Sequence, residues 1–574
     1  MPSLDLSDLN IVLSVLGIYI VLYGFFSVKL KQEWHLGEAL PAMVMGIILG
    51  PIAAKFLDAE RWGSAAVDQQ NTITLGVTRV VIGVQLVMAG YQLPAKYPLM
   101  QWKELSILLI PTMAIMWLCT TMCILATIPK VTLLAALAIG SCVTSIDPVL
   151  SQAIVKGPFA DNYVARPLRE IISAEAGAND GFGYPFLMLA IYLMRHSELP
   201  ENQFSQGEIH ELSSTEEEVG RQGGGVLPAL RDWCLDTWLY AFLLSAVFGM
   251  VIGWCGGKLM QYCLHRRWVA SDSYLLFPTA LGLLLVGVCG VTGMDDFLAC
   301  FVAGVGLNWD GQYLAETERR RDEVNSCLDL LLNFGGFMYV GAIIPWEEFN
   351  QPELTGITPP RLIGLGLLVL VFRRIPAILL GYKFVGKVVT NYKEALFMGW
   401  FGPIGIGAVF YVEHARVQLL PPLGEGDPGE TDLTRAIGTV TYFLVFFSIV
   451  VHGLSIPVLN IIYHYAGVPT IKEDAIRMKR KTVYSALPAN AVNTDSDTVI
   501  AYNRFSRPVV NPADLSLLRG AARPGAMSPI QDENEEWTMQ NINDDIENQR
   551  GKVDYRHHEF SRKEPSFDKH DFAI

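Results

Sequence analysis

The chain has 574 residues, 51% of them hydrophobic and only 17% charged, and a mean hydropathy of +0.32. That profile argues for a polytopic membrane protein and against a soluble globular one. The net charge of −14 collects in the segment 208–218, in Glu413 to Asp432 and in a polar tail; with no basic patch outside the membrane-flanking loops, nothing points to a nucleic-acid partner.

Apolar runs of about 20 residues, enough to cross a bilayer, recur along the chain at 9–28, 38–58, 73–93, 105–127, 131–156, 167–194, 233–262, 273–291, 294–309, 326–346, 361–384, 393–412 and 435–463. The first has no preceding basic region and no small-residue cleavage site, so it reads as a retained span and not a signal peptide. The nine cysteines lie mostly within spans and show no metal-ligand spacing; they read as small apolar packing residues, and the sequence calls for no cofactor. Basic residues follow the odd-numbered spans: Lys29 and Lys31, Lys96 and Lys103, Lys156 and Arg166, Arg266 and Arg267, Arg319 to Arg321, and Lys383 and Lys387. The positive-inside rule then places the N-terminus outside and the C-terminus in the cytoplasm, as an odd number of spans requires. Residues 1–463 read as the membrane domain. Residues 464–574 read as a cytoplasmic tail that starts with a basic amphipathic helix over Ile471 to Lys481 and is otherwise largely disordered.

Two spans are interrupted. The fifth carries Thr144-Ser145-Ile146-Asp147-Pro148 in its middle, and the twelfth carries Gly402-Pro403-Ile404-Gly405-Ile406-Gly407. Proline and glycine unwind a helix and leave backbone carbonyls without partners. If the seventh span is a linker, each break falls in the fifth span of its half, the mark of an inverted-repeat transporter.

Ionisable groups at membrane depth are expensive and rarely idle. Asp180 in span six is the foremost candidate. A buried carboxylate is stabilised by either a small hard cation or a proton, and one site holding either but not both suffices for exchange. Asn179 can offer an oxygen. Glu175 lies four residues before Asn179 on the same helix face and needs a cationic partner, for which Arg373, Arg374 and Arg79 are candidates. Asp147, at the break, either neutralises a half-helix terminus or ligates the cation; Thr144 and Ser145 add hydroxyl oxygens, and Pro148 frees a carbonyl. Asp295 and Asp296 open span nine, where acids favour a helix N-terminus or attract cations at an entrance. His414 and His452 read as packing or surface residues.

The run Thr144-Ser145-Ile146-Asp147-Pro148-Val149 followed by Ser173-Ala174-Glu175-Ala176-Gly177-Ala178-Asn179-Asp180-Gly181 resembles the monovalent cation/proton antiporters, and most of all their fungal plasma-membrane sodium/proton group. Gly293-Met294-Asp295-Asp296-Phe297-Leu298 and Phe372-Arg373-Arg374-Ile375-Pro376-Ala377 match that group too. The resemblance implies an all-α fold with a dimerisation part and a core part holding two crossed, unwound helices. It also implies a homodimer that exports Na+, Li+ and often K+ against H+ across the plasma membrane. It places cation and proton on Asp180, gives Thr144, Asp147 and Pro148 a share in the site, and gives Asp295 and Asp296 functional weight. An exchanger of the same family in an organelle, or a cation channel, are the alternatives. Animal relatives carry an arginine in the Gly-rich broken helix; the stretch Gly402 to Phe410 has none. The tail is short for the fungal group, so the resemblance brings no tail regulation with it.

Overall fold

The computed structural model describes residues 8–57, 69–197, 224–320, 324–420, 428–472, 475–479, 489–493 and 498–505. The acidic segment 208–218 lies outside them. Helix covers each of the apolar runs: α1 (Asp8–Val28), α2 (Ala39–Leu49), α3 (Gln69–Tyr91), α4 (Trp102–Thr127), α5 (Leu133–Cys142), α6 (Pro148–Val155), α7 (Arg166–Arg195), α8 (Val226–His265), α9 (Ser271–Thr292), α10 (Asp296–Leu307), α11 (Val324–Ala342), α12 (Pro359–Phe372), α13 (Ile375–Gly381), α14 (Tyr392–Trp400), α15 (Ile406–His414) and α16 (Pro428–Tyr465). Among the described residues, seven helical stretches are long and apolar enough to cross a membrane: those of α1, α3, α4, α8, α9, α12–α13 and α16. The 30-residue α7 is long enough too, but Arg169, Glu170, Glu175 and Asp180 interrupt its apolar character.

The helix starts follow local chemistry. Asp147 caps α6, Asp295 caps α10 and Asn391 caps α14, each side-chain oxygen accepting from backbone N–H groups of the first turn. Spans five and twelve break as expected, between α5 and α6 and between α14 and α15. The eleventh run, expected to be continuous over 361–384, also breaks, at Arg373-Arg374. Pro376 lacks the N–H that would continue the ladder, and both arginines turn inward.

The helices sort into two groups. In one, α3, α8 and α9 pack around α10, and α2 lies against α11. In the other, α5 is surrounded by α4, α7 and α16, with α12 on α4, and α15 packs on α16 and also on α3 of the first group. Glycines set the first group's spacing. Gly249, Gly253 and Gly257 repeat every fourth residue along α8 and face the backbone at Ala299, Ala303 and Leu307 of α10, where a Cβ would have no room. Each half of the chain contributes its earlier spans to one group and its later spans to the other.

The expected amphipathic helix over Ile471 to Lys481 is not what forms. Ile476–Lys479 is a strand, β1, pairing antiparallel with β3 (Thr498–Ala501), which also pairs with β2 (Ala491–Asn493). The sequence Ile-Arg-Met-Lys alternates with period two, and Thr-Val-Ile is rich in β-branched side chains, so the period of a strand wins over that of a helix. Val499, Ile500 and Ala501 are buried, so this part of the tail is ordered. The tail beyond residue 505 lies outside the described residues.

Candidate functional site

The two helix breaks meet face to face, and the residues that stitch them together are charged. Asp147 donates its backbone N–H to the Pro403 carbonyl at 2.9 Å. Its carboxylate spans both breaks. Oδ1 accepts from the Val149 and Leu150 N–H groups at 2.9 Å each, and Oδ2 accepts from the Ile406 N–H at 2.8 Å. One side chain therefore caps the N-termini of α6 and α15, where the aligned peptide dipoles are positive. Gly405 makes the approach possible, because a Cβ there would overlap the Asp147 carboxylate.

Arg373 performs the complementary task at the negative ends. Its guanidinium donates to the Val143 carbonyl just past α5 and to the Gly402 carbonyl just past α14. It also reaches the Ser145 carbonyl at 3.4 Å. The carbonyls freed by the breaks are thus taken up by protein. Ser448 and His452 of α16 secure the second break: Ser448 Oγ accepts from the Ile404 N–H at 2.7 Å, and the His452 ring nitrogen Nε2 lies 3.0 Å from the Trp400 carbonyl. His452 is therefore a buried structural histidine.

Asp180 lies beside this junction on α7 and is fully buried. Neither of its carboxylate oxygens has a hydrogen-bond partner among the described residues, and the amide nitrogen of Asn179 has none either. Asn179 Oδ1 accepts the Ile146 N–H at 3.1 Å, tying α7 to the first break. The Ser145 side chain lies beside the Asp180 carboxylate, and the Tyr411 hydroxyl of α15 donates to the Asp180 backbone carbonyl. Gly407 leaves the space the carboxylate occupies: a Cβ there would sit 2.9 Å from Oδ1. Thr144 Oγ1, just past α5, donates back to the Gly140 carbonyl of that helix at 2.7 Å. The two carboxylates at the junction therefore differ in kind. Asp147 is saturated with N–H donors, whereas the charge of Asp180 has no backbone N–H or cationic partner among the described residues. A buried carboxylate so placed is stabilised by a cation or by a proton.

Glu175 is paired with Arg374, not with Arg373 or Arg79, in a two-pronged contact at 2.8 Å for each prong, both groups buried. Arg374 also donates to the Met398 carbonyl at 2.9 Å, anchoring α14. Asp295 and Asp296 open α10 in the chain's other group of helices, and the first turn of α10 packs at Leu298 against Gly181 of α7. Asp295 caps α10 through Leu298 N–H at 3.0 Å, and Asp296 pairs with Arg79 of α3 at 2.7 Å. The helix-capping role holds for Asp295, but both acids are buried and not solvated. Sequence reasoning took Gly405 and Gly407 only as helix breakers and passed over Tyr411 and Ser448. The glycine spacing in Gly402 to Gly407 signals the close approach; nothing local signals Tyr411 or Ser448. Among the described residues no group of three or more His, Cys, Asp or Glu side chains could hold a resident metal ion.

Comparison with known proteins agrees with this architecture. Residues 13–461 match the family model described as sodium/hydrogen exchanger, transmembrane. The chain is 32% identical over 467 residues to Na(+)/H(+) antiporter 2 of Zygosaccharomyces rouxii and 32% identical over 473 residues to a Na(+)/H(+) antiporter of Saccharomyces cerevisiae. Each alignment takes in 80% of this chain but only 53% and 44% of those proteins, so the chain spans about half their length. A Na(+)/H(+) antiporter of Schizosaccharomyces pombe is 32% identical over 465 residues, 80% of this chain and 92% of its own. The fold is that of the sodium proton antiporter MjNhaP1 from Methanocaldococcus jannaschii, with a TM-score of 0.53 at 16% identity over 79% of this chain and 99% of that one. The chain is a multi-pass membrane protein and belongs to the transmembrane sodium/hydrogen exchanger family.

Proposed function

We propose that the protein is a secondary active antiporter that exports Na+, and with it Li+ and K+, in exchange for H+, with Asp180 as the group that holds cation and proton by turns. The observation that carries this reading is the Asp180 carboxylate, buried where the two breaks meet without a hydrogen-bond partner among the described residues. Its charge needs a guest, and a guest that can leave. Asn179, Thr144 and Ser145 supply the neighbouring oxygens. Asp147 and Pro148 shape the first break, Arg373 and the Glu175–Arg374 pair hold the junction rigid, and Asp295 and Asp296 brace the facing helices. Alternating access is a movement of the α4–α7 and α12–α16 group against the other helices. The N-terminus lies outside, the C-terminus lies in the cytoplasm, and two copies assemble through the group that does not move. The fungal resemblance favours the plasma membrane, where export confers salt tolerance; a fluorescent fusion separates this from an organelle.

The test is flux in proteoliposomes under an imposed pH gradient. Wild-type protein moves Na+ in proportion to that gradient, and Asp180→Asn moves none while reaching the membrane folded. Undiminished proton-coupled flux in the variant would falsify the assignment. Current that passes without a pH gradient would establish a channel instead.

A further inference from the structure

Within the tail that was expected to be disordered, a short run following β3, Asn503-Arg504-Phe505, sits on the seam between the two helix groups. Asn503 adopts a left-handed backbone (φ 49°), which asparagine tolerates better than most residues, and is itself buried. Its side-chain amide donates to the carbonyls of Asp161 at 3.1 Å and Val164 at 3.0 Å, in the connection between α6 and α7. Its own carbonyl accepts from Arg169 of α7 at 2.5 Å. Arg169, fully buried, also holds the Val155 carbonyl at the end of α6 at 2.6 Å and Asp161 at 2.8 Å. The Phe505 ring lies 5.6 Å from the Arg169 guanidinium and 5.8 Å from the Lys156 ammonium, in the range of a cation–π contact. All of these partners belong to the group that carries the broken helices.

The next side chain reaches the other group. Arg504 lies 3.6 Å from Glu318, on the short helix Gln312–Arg319 that follows α10. That helix is fixed to α9 by the reciprocal bonds of Tyr274 and Tyr313. Lys156 bridges the same seam, bonding Gln152 of α6 and Gln92 beyond α3. The tail thus ties the end of α6, whose other end is the Asp147 cap, to helices of the opposite group.

We propose that residues 498–505 are an intramolecular strap that restrains the movement of one helix group against the other, so that its release sets the turnover rate. The strap suits a reversible brake. Asn503 and Arg504 grip through hydrogen bonds and a partly exposed ion pair, which water can replace when the strap lifts, while Phe505 and the buried Val499, Ile500 and Ala501 add apolar contact. Arg169 keeps two of its three hydrogen-bond partners, Val155 and Asp161, in either state. The strap lies beyond the part of the chain matched by the family model, which ends at residue 461.

The proposal rests on the antiport reading, and the experiment separates the two. Full-length chains carrying Asn503→Ala, Arg504→Glu, Glu318→Arg, or the last two together are reconstituted and assayed for Na+ flux under a pH gradient. Loss of the two amide bonds in Asn503→Ala shifts the docked population by roughly three- to ten-fold and speeds exchange correspondingly. Arg504→Glu and Glu318→Arg each speed exchange, and the double reversal returns it toward wild type. Hydrogen exchange at Val499 to Tyr502 rises in each fast variant and falls again in the double reversal. Rates that stay at wild type or drop, in variants whose melting temperature is unchanged, overturn the strap. A variant that fails to fold leaves the charge-reversal set to decide, and wild-type rates across that set overturn it equally. Wild-type protein with no proton-coupled flux overturns the antiport reading instead.

Discussion

At the scale of single residues, the two acids at the junction should respond oppositely to the same substitution. Asp147 accepts three backbone N–H groups. Asp147→Asn turns one oxygen into a donor facing at least one of them, and a lost buried bond of this kind costs about 1–3 kcal/mol. Its melting temperature should fall and its flux with it. Asp180 accepts none among the described residues, so Asp180→Asn removes an uncompensated charge and should melt no lower than wild type while transport stops. Equal melting of the two variants would show that the division of labour between them is wrong. Glu175→Gln strands the Arg374 guanidinium in the interior and should cost about 3–5 kcal/mol, whereas Glu175→Leu combined with Arg374→Met should recover most of it. Thermal unfolding in detergent compares the three directly; additive losses in the double variant would argue against a structural pair.

At the scale of elements, the broken helices depend on what is missing from them. Gly405 and Gly407 let α15 approach Asp147 and Asp180 more closely than any side chain permits. Gly407→Ala should displace the Asp180 carboxylate and reduce cation affinity, read as a raised half-saturation concentration for Na+ with the protein still folded. An unchanged value would mean that α15 does not border the cation. Asp147 and Arg373 explain why such breaks survive in a low-dielectric setting: one anion covers two positive helix ends and one cation covers two sets of freed carbonyls, so that no terminus is left bare.

At the scale of the whole molecule, two helix groups share one seam, and their internal packing differs. The group around α10 is held by backbone-to-backbone contact at Gly249, Gly253 and Gly257, which suits a rigid scaffold. Gly253→Leu should push α8 off α10 and lower the melting temperature by several degrees, more than Gly287→Leu at a site with open space around it. Similar melting of the two would show that the close contact contributes little. The other group is organised around a polar junction and crossed by the tail strap, which is where movement and its control would reside.

What the chain determined by itself was whatever depends on local pattern. Apolar length marked the helices, because a bilayer demands about 20 residues of them. Proline and glycine marked both breaks, because they cannot sustain the backbone ladder. Asp180 stood out because a carboxylate in an apolar run has few excuses. Pairings across long chain separations were beyond that reach. Arg373 and Arg374 are adjacent and chemically identical, and only the direction in which the backbone turns sent one to Glu175 and the other to bare carbonyls. Whether Asp147 would cap helices or stay open to a guest depended on Ile406, far along the chain. The tail's strand pairing and its hold on Arg169 likewise required the fold, since hydrogen bonds between distant segments leave no periodic trace in either one.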